Sequence, residues 1–217
     1  MNQMNFFITY LWKDPMFFLA AIIIVVFSVC AHEFMHAWIA LLQGDGTAAE
    51  RGHLTMSPLK QMGPWSLFML AFIGIAWGQV PVDPSRMRHR YSHALVAFAG
   101  PATNLLLGAA FSLLCFLAFR NEVGTEFTWD MLYFGATINM VLFLLNLLPV
   151  PGFDGWAILV TFFPKIMRID SEIVKGSFFV IIILVFMGIG KLFEFGRIST
   201  AAMLWFFQTV AQWIAGA

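Results

Sequence analysis

Three ionisable residues sit together in an otherwise apolar stretch: His32, Glu33 and His36, spelled HEFMH. On a helix, residues i and i+4 lie one turn apart on the same face. His32 and His36 therefore offer two imidazoles to one ion. Glu33 lies about 100° round the helix from His32, within reach of a water on that ion. This is the HExxH pattern of zinc hydrolysis, in which the glutamate is a base and not a ligand. The opposing reading is a pair of histidines satisfied by neighbouring helices. Burying a glutamate and two histidines in lipid without purpose is costly, which favours the metal.

A catalytic zinc takes three protein ligands and keeps one position open. His53, His89 and His93 flank the segment 65–80, and Asp154 lies in NLLPVPGFDG. Asn146, Pro149, Pro151 and Gly152 make that stretch irregular. Irregular backbone at membrane depth is tolerated only where it lines protein or a wet cavity. Asp154 is the best third ligand on chemistry. An Asp before Gly155 also reads as an ordinary turn, and the three histidines remain alternatives.

The elements that must position these groups follow from composition. The chain has 217 residues, 60% hydrophobic, 17% aromatic and 11% charged. A soluble domain carries about 25% charged residues, so a soluble enzyme, a nucleic-acid binder and a disordered chain are excluded. Lys+Arg and Asp+Glu number 12 each, so no charged partner is implied. A crossing of the bilayer takes about 20 apolar residues. Pro15–Leu42 is apolar apart from Ser28, His32, Glu33 and His36, and 61–82, 91–119, 131–153, 176–190 and 198–217 carry no Asp, Glu, Lys or Arg. The expected fold is an all-α polytopic membrane protein with about five to six transmembrane segments. One of these is re-entrant, and a short edge strand or hairpin lies near the site. A single membrane-embedded domain spans 1–217, with the motif-bearing core at about 15–155 and C-terminal helices over 156–217. The first segment is too long for a signal peptide and lacks small-x-small cleavage chemistry. No linker or repeat appears, and there is no room for an appended soluble domain. Cys30 and Cys115 lie in apolar runs and read as small buried hydrophobes, not as a disulfide.

Two stretches are not simple spans. Residues 156–169 read as a short interfacial helix, with Lys165 and Arg168 near the end. The segment 65–80 is bounded by Gly63-Pro64 and Pro81 and interrupted by Gly74 and Gly78. At roughly 24 Å as helix it is short for a span and suits a re-entrant or broken segment. If all six segments crossed, Lys and Arg would divide 7 to 5 between the faces. With 65–80 re-entrant, Arg51, Lys60, Arg86, Arg88, Arg90, Lys165, Arg168 and Lys175 share one face, against Lys13, Arg120, Lys191 and Arg197. The positive-inside rule then puts the larger group in the cytoplasm and the N-terminus outside. The metal lies nearer the cytoplasmic face, where Asp154 can reach it.

HEFMH, AGPATN at 99–104 and NLLPVPGFDG at 146–155 together resemble the site-2 protease family of intramembrane zinc metalloproteases. GDGTAAERGHLTMSPLK at 44–60 and WGQVPVDP at 77–84 are similar to the branch without added PDZ or CBS domains. The resemblance covers about 15–155, and 156–217 carry no motif of it. It implies that His32, His36 and Asp154 bind one Zn²⁺, that Glu33 is the catalytic base and that Asn146 assists at the site. It also implies a single-span membrane protein substrate, cut in or near its transmembrane segment, in the cell membrane. Gln61 and Gly63 stand where the branch often has His and Asp, and His53 where Arg is more usual. These departures lie outside the zinc core.

Two rival functions are weaker. A membrane zinc protease of the prenyl-protein-processing type usually takes a downstream Glu ligand on a helix. Glu122 and Glu126 lie in a polar loop, and Glu172 and Glu194 near segment ends. A metal transporter or catalytically silent metal-binding scaffold has no need of Glu33 beside its first ligand. Val80 and Val82 alternate in GQVPVDP and could pair with an unwound substrate as an edge strand, or sit in a plain connector. Pro101 is expected to kink its helix, and Asn104 reads as a hydrogen bond between helices. Trp12 and Trp213 read as interface anchors. Gln208 and Gln212 share a helix face.

Overall fold

The computed structural model describes residues 7–168 and 171–215, and no strand occurs among them. The helices are α1 (Tyr10–Lys13), α2 (Pro15–Leu42), α3 (Thr47–Glu50), α4 (Pro58–Gln61), α5 (Gly63–Ile73), α6 (Ser92–Arg120), α7 (Glu126–Asn146), α8 (Asp154–Phe162) and α9 (Ser171–Ala215). Three of them, α2, α6 and α7, are long and apolar enough to cross a membrane. Their starts follow local rules. The Asp14 carboxylate accepts from the Phe17 N–H at 2.9 Å and Pro15 opens α2, satisfying a donor that has no partner within the helix. Thr125 and Thr128 cap α7 reciprocally.

Burial runs opposite to that of a soluble bundle. On α2 the buried stripe includes Ser28, His32, Glu33 and His36 with Ala37 and Ala40, while Met16, Ile23 and Leu42 are exposed. On α6 the buried side carries Ala97, Gly100, Asn104, Gly108 and Ser112, and Leu106 and Leu114 face outward. Helices in lipid gain nothing by hiding leucine from it. They meet through small residues that let backbones approach and through polar side chains that bond across. Helix α6 packs on α2 and α7, and α9 lies against α6 and α7. Pro101 sits inside α6 without ending it. Cys30 and Cys115 are free and buried, as expected.

Three expectations are corrected. The segments 176–190 and 198–217 are not separate, because α9 runs unbroken from Ser171 to Ala215, its last described residue. Its 45 residues extend roughly 67 Å, about twice the hydrocarbon thickness. Lys191 and Glu194 pair at 2.8 Å one turn apart along it. Charged residues that favour helix carry it through the polar stretch between the two apolar segments. Second, the segment 65–80 is helical only as far as Ile73, short of the full length taken for it, because Gly74, one of its two expected interruptions, takes φ +89 as a left-handed cap. Third, the chain beyond it is irregular through Asp83 and is not an edge strand or hairpin. Pro81 and Pro84 have no N–H for a ladder, and the segment is held by side chains instead. The expected interfacial helix 156–169 is α8, which ends before Pro164, and a 3₁₀ turn at Pro164–Arg168 follows. Ile169 lies outside the described residues.

Candidate metal centre

His32 and His36 stand on successive turns of α2, with their Nε2 atoms 3.0 Å apart. Asp154, at the first residue of α8, brings Oδ2 to 3.1 Å from His32 Nε2 and Oδ1 to 3.2 Å from His36 Nε2. Ligands about 2.0–2.1 Å from one tetrahedral ion stand roughly 3.3 Å apart, close to all three separations. No other group of three His, Cys, Asp or Glu among the described residues brings ligand atoms together in this way.

The hydrogen bonds behind the triad show that a cation fits. His32 Nδ1 faces Asn104 Oδ1 at 2.6 Å, and His36 Nδ1 faces the Val96 carbonyl at 2.8 Å. Both partners accept, so each Nδ1 carries the proton and donates. Each Nε2 is then a bare lone pair. Two such lone pairs and a carboxylate converge, and Asp154 Oδ2 is buried without a hydrogen-bond partner. Negative poles brought this close need a positive centre between them.

Close approach of backbone to the site depends on glycine. A Cβ on Gly100 would overlap Nε2 of both histidines, so α6 can pass over the triad only there. Gly78 does the same above Glu33, whose carboxylate lies against it. Gly155 lets α8 begin hard against the Leu147 and Leu148 carbonyls, which places Asp154. A cavity of about 350 Å³ opens beside the triad, lined by Glu33, Gln79, Val80, His93 and Asn146 among others. Glu33 is itself buried.

The expected site residues are sorted by this geometry. His32, His36 and Asp154 meet, and Glu33 adjoins them. Asn146 lines the cavity, and its Nδ2 donates back to the Leu142 carbonyl at 3.0 Å. None of the three alternative histidines joins the triad, although His93 lines the same cavity. His53 faces Gln61 Oε1 at 3.4 Å, His89 lines a separate apolar cavity with Tyr91 and Phe162, and His93 faces Thr161 Oγ1 at 3.5 Å. Asn104 does bond between helices, to His32 on α2 and Asn139 on α7. Asn139 behind it was not singled out, although an Asn inside an apolar helix is itself a signal.

Beyond the cavity, residues 75–83 form a strap tied at both ends. Ser66 Oγ donates to the Trp77 carbonyl at 2.6 Å and accepts from its N–H at 2.9 Å. The Gln79 N–H donates to the Gln61 carbonyl at 3.0 Å. Fully buried Asp45 accepts from the Asp83 N–H at 2.6 Å and from the Thr47 N–H and hydroxyl. Burial pushes the Asp45 carboxyl up, but these donors and nearby Arg86 outweigh it and hold it below the usual carboxylate range.

A scan of protein families matches residues 20–129 to peptidase family M50. The chain belongs to that family. It is 31% identical over 172 residues to "Putative zinc metalloprotease YwhC" of Bacillus subtilis, covering 76% of this chain and 78% of the relative. It is 30% identical over 208 residues to "Putative zinc metalloprotease Rip2" of Mycolicibacterium smegmatis, covering 90% and 74%. No solved structure matches. This M50 chain is therefore a membrane zinc metalloprotease. The family match ends before Asp154, so the place of Asp154 in the triad is the contribution of the geometry above.

Proposed function

We propose that the chain is one membrane-embedded unit that hydrolyses a peptide bond in or beside the transmembrane segment of a single-span membrane protein. In this reading it serves regulated intramembrane proteolysis. His32, His36 and Asp154 are the zinc ligands. The observation that carries the reading is the convergence of their three lone-pair donors, with both Nδ1 protons already committed. Bound there, zinc supplies Lewis acidity that acidifies water and polarises a carbonyl. Glu33 takes the proton from the attacking water and passes it to the leaving amine. Its burial beside Gly78 keeps its carboxylate short of competing hydration. Asn146, on the cavity wall, donates to the oxygen that gains charge.

The site lies nearer the cytoplasmic face of the cell membrane, and the N-terminus is outside. His36 is six residues from Leu42, the end of α2, or roughly 9 Å along the axis. The connection 43–91 that follows carries Arg51, Lys60, Arg86, Arg88 and Arg90, whereas the far ends of α2 and α6 carry Lys13 and Arg120. The 11 residues of α5 reach only about 16 Å, which supports a re-entrant path. Single cysteines at Thr47 and Ser85, with Cys30 and Cys115 removed, should label from one side with an impermeant thiol reagent, and at Asn121 from the other. Labelling of 47 and 85 from opposite sides would mean that 65–80 crosses.

The chemistry is tested on purified wild type, Glu33→Gln and Asp154→Ala, by zinc content and by cleavage of a single-span substrate. Glu33→Gln should keep its zinc and lose about 10²–10⁴ in rate. Asp154→Ala should lose both zinc and cleavage. Near wild-type proteolysis by Glu33→Gln sinks the mechanism, and wild-type zinc in Asp154→Ala removes it from the ligand set.

A further inference from the structure

Behind His32 a line of buried polar side chains crosses three helices. Asn104 Nδ2 on α6 donates to Asn139 Oδ1 on α7 at 3.0 Å. Asn139 Nδ2 donates to Ser28 Oγ on α2 at 2.8 Å and to the Gly135 carbonyl at 2.9 Å. Ser28 Oγ donates to the Ile24 carbonyl at 2.8 Å. Ser28, Asn104 and Asn139 are each 0% exposed.

The direction of this line is fixed from its far end. The Ile24 and Gly135 carbonyls can only accept. Ser28 spends its proton on Ile24, so its oxygen must accept from Asn139. Both protons of the Asn139 amide are then used, on Ser28 and on Gly135, and its oxygen is turned to Asn104. Asn104 must answer with its NH₂ and turn its own oxygen to His32. His32 therefore carries its proton on Nδ1 and keeps Nε2 bare. A carboxamide alone could present either end to an imidazole. We infer that Asn139 is a positioning residue for the metal centre: it locks the Asn104 carboxamide in the one orientation that leaves His32 Nε2 free for zinc.

The inference rests on His32 being a ligand, so its test starts there. Apparent zinc affinity is measured by chelator competition for wild type, His32→Ala, Asn139→Leu, Asn104→Asp and the double variant Asn104→Asp/Asn139→Leu. Thermal melting of each metal-free protein follows the fold separately. Losing a partner behind a metal-binding histidine typically costs 10–100-fold in affinity, and Asn139→Leu should fall in that range. A carboxylate at position 104 accepts from His32 with either oxygen and needs no lock. In the Asn104→Asp background Asn139 has no amide left to orient and its oxygen faces a group with no donor, so the Asn139→Leu change should not weaken zinc there. If Asn139→Leu weakens zinc equally in both backgrounds, or lowers only the melting temperature of the metal-free protein, the inference is overturned. If His32→Ala binds zinc like wild type, the ligand assignment fails instead. Should Asn139→Leu not accumulate, Ser28→Ala makes a smaller cut by removing one of the two anchors. It should weaken zinc about 3-fold with Asn104 in place and not at all with Asn104→Asp, and an unchanged affinity in both backgrounds also overturns the lock.

Discussion

The two walls of the catalytic cavity are built differently. The metal wall consists of α2, α6 and α7, whose side chains bond to one another at membrane depth: His32 to Asn104, Asn104 to Asn139, Asn139 to Ser28. The facing wall is the strap 75–83, which belongs to no helix and is tied by side chains to its own backbone. Ser66 holds Trp77, and Asp45 holds Asp83. In lipid a backbone group without a partner costs several kcal/mol, so only helices bear the deep chemistry. Irregular chain is admitted beside the cavity because the N–H groups of Trp77, Gln79 and Asp83 are clipped along its length. The metal wall is therefore rigid by construction, and the strap is as stable as three or four hydrogen bonds allow.

A pair of glycine substitutions separates the walls with the largest expected effects. Gly100→Ala pushes a methyl into both ligand nitrogens. It should lower zinc affinity by about 100-fold or more, the upper end of what losing support behind a ligand costs. Gly78→Ala pushes a methyl into Glu33 alone. It should leave zinc affinity near wild type and cut cleavage about 10²–10⁴-fold, the usual worth of a positioned base. Zinc loss in Gly78→Ala would show that the strap also supports the metal, and the contrast between the walls would fail.

How much of this was legible in the sequence differs by wall. HEFMH specified a facing pair of imidazoles with a carboxylate beside them because i, i+4 geometry is local, and α2 has the bounds that its apolar run sets. Asp154 was legible as chemistry beside His53, His89 and His93, but that it meets His32 and His36 follows from the turn at 147–153, which carries it back to α2. Asn104 was read as a bond between helices without its partner, and Asn139 was not read at all. Their roles come from the register of α6 against α7, which no local pattern encodes. The strap was read as an edge strand from Val80 and Val82, yet a strand needs a ladder, and Pro81 and Pro84 leave none. The continuity of α9 was hidden because Lys191, Glu194 and Arg197 interrupt the apolar run while favouring helix by propensity.

A middle-sized effect is expected where the strap is clipped. Ser66→Ala leaves the Trp77 N–H and carbonyl without their shared partner. Burying an unpaired polar group costs about 1–3 kcal/mol. The substitution should show as faster amide exchange over 75–80, with exchange at α2 and α6 unchanged. Uniform acceleration through both walls would mean that they open together as one unit.

The smallest effect tests the clip at Asp45 through pH. Its carboxyl is held below the ordinary value by the Thr47 and Asp83 donors. A group whose folded pKa is depressed stabilises the fold above its unfolded value, about 3.9 for Asp, and loses that contribution as pH falls through the folded value. Asp45→Asn removes the charge and turns one acceptor into a donor facing other donors. At pH 6 the variant should melt below wild type, by the few degrees that about 1 kcal/mol moves a chain of this size. As pH falls below the unfolded value toward the folded one, the wild-type carboxyl takes up its proton and the gap should narrow. Because both proteins share every other titrating group, the difference between them isolates Asp45. A gap that stays constant from pH 6 to pH 2 would mean that the ionised carboxylate contributes nothing to the strap, and that the geometry of the turn at 44–47 holds it instead.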